Sequence, residues 1–173
     1  MFERYTTEAR RTIFYACYEC FLLDAKEITP QLLLLGLSRE FGTFAERLRA
    51  RREDAATLRE LFNLPAVPLK HPARMKVPPA PLSRNLKIAL AAAATEADLD
   101  HSLQIKPDHL LRALMTFENE ATPAFCLMGL DLEGVRKASQ SRKRWSRQNI
   151  VARLRFLFWK AGQSHLKSRS EPT

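Results

Sequence analysis

The sequence predicts an all-α protein in which two tandem four-helix repeats pack by pseudo-twofold symmetry and a C-terminal amphipathic helix follows. Three observations predict it. First, the segment Ile28-Thr29-Pro30-Gln31-Leu32-Leu33-Leu34-Leu35-Gly36-Leu37 recurs 77 residues later as Ile105-Lys106-Pro107-Asp108-His109-Leu110-Leu111-Arg112-Ala113-Leu114. At the same offset Thr6 matches Ser83, Ile13 matches Leu90, Ala16 matches Ala93, Glu19 matches Glu96, and Leu58-Arg59 matches Val135-Arg136. One offset shared by separate segments is the mark of a duplicated unit. Second, the apolar residues recur at helical spacing, and five glycines with few alternating runs argue against a β sandwich. Third, six of the ten prolines (Pro65, Pro68, Pro72, Pro78, Pro79 and Pro81) fall between the two copies, where they block helix and stiffen an extended connector.

The first helix is capped by Thr6, carries Glu8 at its positive end, and aligns Ala9, Ile13, Ala16, Cys17 and Cys20 on one face. Its counterpart is capped by Ser83 and aligns Leu86, Leu90, Ala93, Ala94 and Ala97 at the same spacing. These helices end near Asp24–Glu27 and Asp98–Leu103. A second helix then starts at Pro30 or Pro107, with proline in the first turn, where its missing N–H is not needed. Thr29 is a proper cap for the first of these and Lys106 a poor one for the second. Short helices follow at Thr43–Ala50 and Ala55–Leu61, then at Thr122–Met128 and, after the cap Asp131, Leu132–Ser139. The domain therefore spans 1–139, with repeat 1 at about 2–63, the proline-rich connector at 64–81 and repeat 2 at about 82–139; residues 140–173 form a basic tail. A unit of some 60 residues buries a modest fraction of its surface, so each repeat needs the other.

The net charge of +9 belongs to one end of the chain. Residues 1–139 carry 19 Lys+Arg against 18 Asp+Glu, and residues 140–173 carry 9 basic residues against Glu171 alone. Any electrostatic partner is thus a partner of the tail. Three cysteines give no disulfide framework, the N-terminus has no apolar signal core, and no apolar run reaches the roughly 18 residues of a membrane span. These features point to a cytoplasmic location.

The residues Phe2-Glu3-Arg4-Tyr5-Thr6, the helix with Ala9-Arg10-Arg11, and Ile28-x-Pro30-Gln31-Leu32-Leu33-Leu34-Leu35-Gly36-Leu37 resemble the first repeat of a Clp N-terminal (Clp R) domain. Leu82-Ser83 and Ile105-x-Pro107-Asp108-His109-Leu110-Leu111 resemble the second. This is the double four-helix module at the front of Hsp100 unfoldases such as ClpC and ClpA, where it docks substrates and adaptors. None of the five glycines stands in a G-x-x-x-x-G-K-[ST] loop, so the 173 residues hold no ATPase motor. The resemblance implies a freestanding, non-enzymatic protein-binding module with no cofactor. It would act as an adaptor or regulator of Clp-type proteolysis, with protein clients or Clp components as partners.

Some ClpC-like members bind phosphoarginine once per repeat. A hydroxyl at the start of the first helix holds the phosphate, and a glutamate at the start of the second faces the guanidinium. Carried over by position, the hydroxyl falls on Thr6 and Ser83, and the glutamate on Gln31 and Asp108. A helix start favours the anion. Gln31, however, lacks the charge to pair with a guanidinium and Asp108 is one methylene short, which leaves the second repeat the stronger candidate. The alternative is that Thr6 and Ser83 are N-caps and nothing more. Cys17-Tyr18-Glu19-Cys20 has no second pair for zinc and no strand before it for redox work, so both sulfurs are expected to fill the core. His109 is expected to make a structural hydrogen bond. Glu40, Glu118 and Glu120 lie in loops without a partner suited to acid–base chemistry, and no residues hold a metal.

In the tail, Ile150, Val151, Leu154, Leu157 and Phe158 form a helical stripe between basic residues, and Trp145 and Trp159 add aromatic surface. Four readings stand: docking on the domain's own groove or on a partner, an anionic membrane surface, nucleic acid, or a solvated segment. The stripe favours the first two, since phosphate binding alone needs no leucines, and makes nucleic acid unlikely. A binding protein held on an anionic membrane by its tail is the alternative to the Clp adaptor.

Overall fold

The structure is a computed structural model, and it describes residues 2–40, 43–52, 54–66 and 77–139. Seven helices are α1 (Thr7–Leu22), α2 (Pro30–Arg39), α3 (Thr43–Arg51), α4 (Ala55–Leu61), α5 (Arg84–Leu99), α6 (Pro107–Leu114) and α7 (Thr122–Leu127). Residues 132–139 are also helical and are termed α8. No strand occurs among the described residues; the fold is all-α. The chain divides into two units, Met1–Arg136 and Lys137–Thr173, and the helical core belongs to the first. The expected tail helix, with Trp145, Ile150, Leu154, Leu157, Phe158 and Trp159, lies outside the described residues. Of the expected connector, 64–66 and 77–81 are non-helical and 67–76 lie outside the described residues.

Local rules account for most helix starts. Thr6 Oγ1 accepts the Ala9 N–H at 3.3 Å, and Ser83 Oγ accepts the Leu86 N–H at 3.2 Å, each satisfying one of the donors a helix start leaves free. Asp54 does the same for α4, accepting from Ala56 N and Thr57 N. At α2 the expectation needs correcting. Thr29 makes no side-chain cap hydrogen bond, and the helix starts on Pro30 without one. At α6 Lys106 has no acceptor to offer, but His109 Nδ1 accepts the Lys106 N–H at 3.1 Å. A side chain at the third helical position reaching back to the cap residue is one half of a capping box.

The extended segments that precede helices are joined by two isolated parallel bridges, Tyr5 with Ile105 and Ile28 with Leu82. In the first, Thr6 N donates to Ile105 O (2.9 Å) and Ile105 N to Arg4 O (2.7 Å). In the second, Ser83 N donates to Ile28 O (3.0 Å) and Ile28 N to Pro81 O (2.8 Å). Each residue of one bridge has its equivalent in the other at the offset of 77 seen in the sequence. Each bridge therefore ties the start of one repeat's first helix to the start of the other repeat's second helix.

The core is drawn from the expected faces. Ala9, Ile13, Ala16 and Cys20 of α1 and Leu86, Leu90, Ala93 and Ala97 of α5 are buried, with Leu32–Leu35 of α2 and Leu110, Leu111 and Leu114 of α6. Cys17 and Ala94, 77 apart, are only half-buried, so Cys20 alone of the C-x-x-C pair fills the core. Its Sγ lies 3.2 Å from Ala25 O, and burial pushes both the Cys17 and Cys20 thiols above their ordinary range, away from reactive thiolate. Helices α1 and α2 meet at Gly36, where a Cβ would overlap the Thr12 carbonyl oxygen and come within 3.2 Å of Ala16 N. The α5–α6 pair carries Ala113 at the equivalent position.

Leu33 and Leu110, both fully buried, should each cost about 2–5 kcal/mol as alanine variants in urea unfolding. A loss near zero for either would show that its repeat is not packed in this register. Gly36→Ala should also destabilise, whereas Ala113→Gly should cost only about 1 kcal/mol of helix propensity plus a small void. Equal tolerance at the two positions would contradict the closer approach of α1 and α2.

Candidate functional site

Thr6, Gln31, Ser83 and Asp108 all stand at helix starts, as expected, but the bridges pair them crosswise. Helix α1 has 16 residues, which at 1.5 Å per residue separates its ends by about 24 Å. The chain then turns back so that Arg11 near the start of α1 meets Glu40 at the end of α2, with Nε to Oε1 at 2.9 Å. Thr6 and Gln31 are therefore at opposite ends of this helical hairpin. Instead, Thr6 donates its backbone N–H to Ile105, three residues from Asp108, and Ser83 donates to Ile28, three residues from Gln31. The bridges thus set the start of α1 beside that of α6 and the start of α5 beside that of α2, so that Thr6 neighbours the turn of Asp108 and Ser83 that of Gln31, each across the two repeats.

Electrostatics separate these two places further. At α1 the Glu8 carboxylate occupies the helix start: its pKa is lowered first by its own backbone N–H and then by the Thr6 hydroxyl. The Thr6 hydroxyl is consequently engaged both as acceptor, from Ala9 N, and as donor. The position equivalent to Glu8 is Asn85, whose Nδ2 donates to Glu120 Oε1 at 2.9 Å, and α5 has no acid in its first turn. Arg84 and Lys87, both exposed, flank Ser83 there. An incoming anion would meet Glu8 beside Arg10, whose Nε donates to Tyr5 O, at α1, and Arg84 and Lys87 with Glu120 nearby at α5. Asp108 stands in the first turn of the helix bridged to the first place, and Gln31 in the first turn of the helix bridged to the second. Neither pair of candidate residues by itself unites an open helix start with a carboxylate; at α5 the nearest carboxylate is that of Glu120, held by Asn85.

Behind these helix starts lies a pair of buried ion clusters. Glu19 of α1, fully buried, receives Arg59 Nη2 of α4 at 2.7 Å on both of its oxygens and also binds Arg39 at the end of α2. The Arg39 guanidinium stands 5.6 and 5.7 Å from the rings of Tyr15 and Tyr18, within range for a cation–π contact. Glu96 of α5 receives Arg136 Nη2 of α8 at 2.7 Å, and Arg112 Nε of α6 lies 3.1 Å from its other oxygen. Glu19 and Glu96, and likewise Arg59 and Arg136, stand 77 apart. The second repeat adds an Asp100–His109–Arg112 cluster: Arg112 Nη2 donates to Asp100 Oδ2 at 2.8 Å, and His109 Nε2 lies 3.1 Å from the same oxygen. Because His109 Nδ1 accepts a backbone N–H, its proton resides on Nε2, which donates to Asp100. His109 thus makes the structural hydrogen bonds expected of it. The arginines went unassigned in the sequence, although Glu19 and Arg59 recurring at the repeat offset was a signal for them.

No group of three or more His, Cys, Asp or Glu side chains among the described residues could hold a metal ion. None of their helices is long and apolar enough to cross a membrane. Glu40, taken in the sequence as a loop acid without an acid–base partner, is buried against Arg11.

No protein-family model matches the chain, and no curated protein sequence matches it. Solved structures do. The N-terminal domain of the caseinolytic protease associated chaperone ClpD from Arabidopsis thaliana aligns with a TM-score of 0.61 at 22% identity, over 83% of this chain and 97% of that one. The chain has the Clp N-domain fold. A structure from a malarial protein secretion system aligns at 0.61 and 20% identity over 81% and 94% of the two chains. The Hsp104 N-terminal domain from Candida albicans aligns at 0.53 and 16% identity over 78% and 88%. The Clp N fold thus accounts for nearly the whole of each matched domain.

The Glu8 interaction has a pH signature. A carboxyl whose folded pKa is lowered stabilises the fold above its unfolded pKa and loses that contribution as pH falls through the folded value. Glu8→Gln should therefore lower the Tm slightly near neutral pH, and its difference from the parent should shrink and vanish as pH falls through the lowered carboxyl pKa. A difference that persists unchanged into acid would mean that Glu8 does not occupy the helix start as an anion.

Proposed function

We propose that the chain is a non-enzymatic protein- or peptide-binding module, acting as an adaptor or regulator related to Clp-type substrate recognition. The observation that carries this reading is the similarity of the fold, over almost their full length, to the N-terminal domains of ClpD and Hsp104. The fold places two pairs of polar helix starts at the bridges, Thr6 with Asp108 and Ser83 with Gln31, and these are the proposed peptide contacts. A peptide crossing either pair would touch both repeats. Phosphoarginine requires an anion site and a carboxylate together, and each pair offers only one of them, so its binding is expected to be weak.

Titrating the full chain into fluorescein-labelled casein and following anisotropy tests the proposal. Saturable binding is expected, weakened several-fold by Asp108→Ala or Gln31→Ala and competed poorly by free phosphoarginine. Absence of saturable binding, with co-sedimentation on anionic vesicles instead, would replace this reading with that of a membrane-held protein. Tight competition by phosphoarginine would show that the split of anion site and carboxylate is wrong.

A further inference from the structure

Three of the six large apolar side chains most exposed among the described residues, Ile88 (46%), Leu99 (64%) and Leu103 (90%), lie on α5 or in the loop just after it. Ile88, Ala91, Thr95 and Leu99 follow one another at i, i+3, i+7 and i+11, so they share one face of the helix, and all four are exposed. Leu103 is held beside the end of this stripe by Arg4. The Arg4 guanidinium binds Asp98 at 2.6 Å and reaches the Leu103 carbonyl oxygen at 3.4 Å. From Ile88 to Leu99 the stripe runs about 16 Å. Large apolar side chains left exposed on one helix face make that face a candidate for covering by a partner.

The charges along the face indicate its occupant. Arg84 and Lys87 are exposed in the first turn of α5, and Asp98, which binds Arg4 through Oδ1 and stays 63% exposed, lies in the last. A basic start and an acidic end make the helix complementary to itself when two copies run antiparallel. Such an arrangement also opposes their helix dipoles favourably. We propose that α5 is the interface of a symmetric dimer of this chain. With the twofold axis between Ala92 and Thr95, Ile88 of one copy packs on the partner copy's Leu99. Ala92 faces Thr95, so the helices can approach closely, and Lys87 comes within a turn of Asp98. A twofold interface uses the same patch twice, as this pattern requires. One helix face per copy falls below the usual 1,200–2,000 Å² of a stable interface, so the dimer is a weak one that forms with rising concentration.

Sedimentation velocity of the full chain over a dilution series provides the test. A sedimentation coefficient that rises with concentration is expected, with Thr95→Arg, an exposed substitution, holding the chain monomeric. Lys87→Glu should weaken association at least several-fold, because it sets a carboxylate against the other copy's Asp98. In a Cys126→Ser background, Thr95→Cys should yield a disulfide-linked dimer on mild oxidation, whereas Glu60→Cys, exposed on α4, should not. A chain that stays monomeric throughout would overturn the proposal and leave the face to a different protein. A dimer indifferent to Thr95→Arg would overturn it by assigning association to another surface, and one lost with Thr95→Arg but indifferent to Lys87→Glu would refute the antiparallel register.

Discussion

A carboxylate removed from water is tolerated only where cations meet it, because its desolvation costs several kcal/mol that poor geometry does not repay. Glu19 and Glu96 are such carboxylates, placed on the inner faces of α1 and α5 among alanines and leucines. Each therefore dictates where an arginine of the fourth helix of its repeat must sit, Arg59 on α4 and Arg136 on α8. That constraint sets the ends of the helical hairpins, and the hairpins in turn present the extended segments Arg4–Thr6 and Pro81–Ser83 to the bridges. The candidate peptide contacts at Thr6 and Ser83 are thus positioned by charges buried well behind them.

The two repeats solve the same packing problem with different chemistry. Asp100, His109 and Arg112 of the second repeat occupy positions that in the first are Leu23, Leu32 and Leu35. Exchanging a buried polar triad for well-packed apolar residues is frequently neutral or stabilising, so the two versions can share one backbone. The second arginine on each glutamate has moved accordingly. Arg39 comes from the last residue of α2, whereas Arg112 stands at the position equivalent to Leu35, one helical turn earlier. The α1–α2 pair, with leucines and Gly36 at its seam, packs closely; the α5–α6 pair is held more by directed bonds.

Features governed by local rules were legible in the sequence. Thr6 and Ser83 as caps, Pro30 and Pro107 in first turns, and the Leu-rich faces of α2 and α6 each depend on a few neighbouring residues. The repeat offset extended that legibility to the pairing of equivalent core positions and to the fold class. Thr29 misled because a suitable residue type does not fix the side-chain rotamer that a cap hydrogen bond needs. The neighbourhood of Thr6 and Asp108 across the repeats escaped because it rests on a parallel bridge between Tyr5 and Ile105, 100 residues apart, which no local pattern encodes. Arg59 and Arg136 escaped for a related reason. Each looks like a surface charge until its partner 40 residues away is placed.

The central claim is that the duplicated Glu–Arg clusters hold the helices in register, and urea unfolding of Glu19→Ala and Glu96→Ala tests it most directly. Breaking one partner of a buried ion pair costs about 3–5 kcal/mol. Glu19→Ala should be the more damaging: without Glu96, Arg112 retains Asp100 and Arg136 retains Glu133, whereas Arg59 commits its Nη2 to Glu19 alone through both oxygens. Losses of that size in this order would support the account. Losses below about 1 kcal/mol, the value of a surface salt bridge, would show that the register is set by the apolar core without the buried charges.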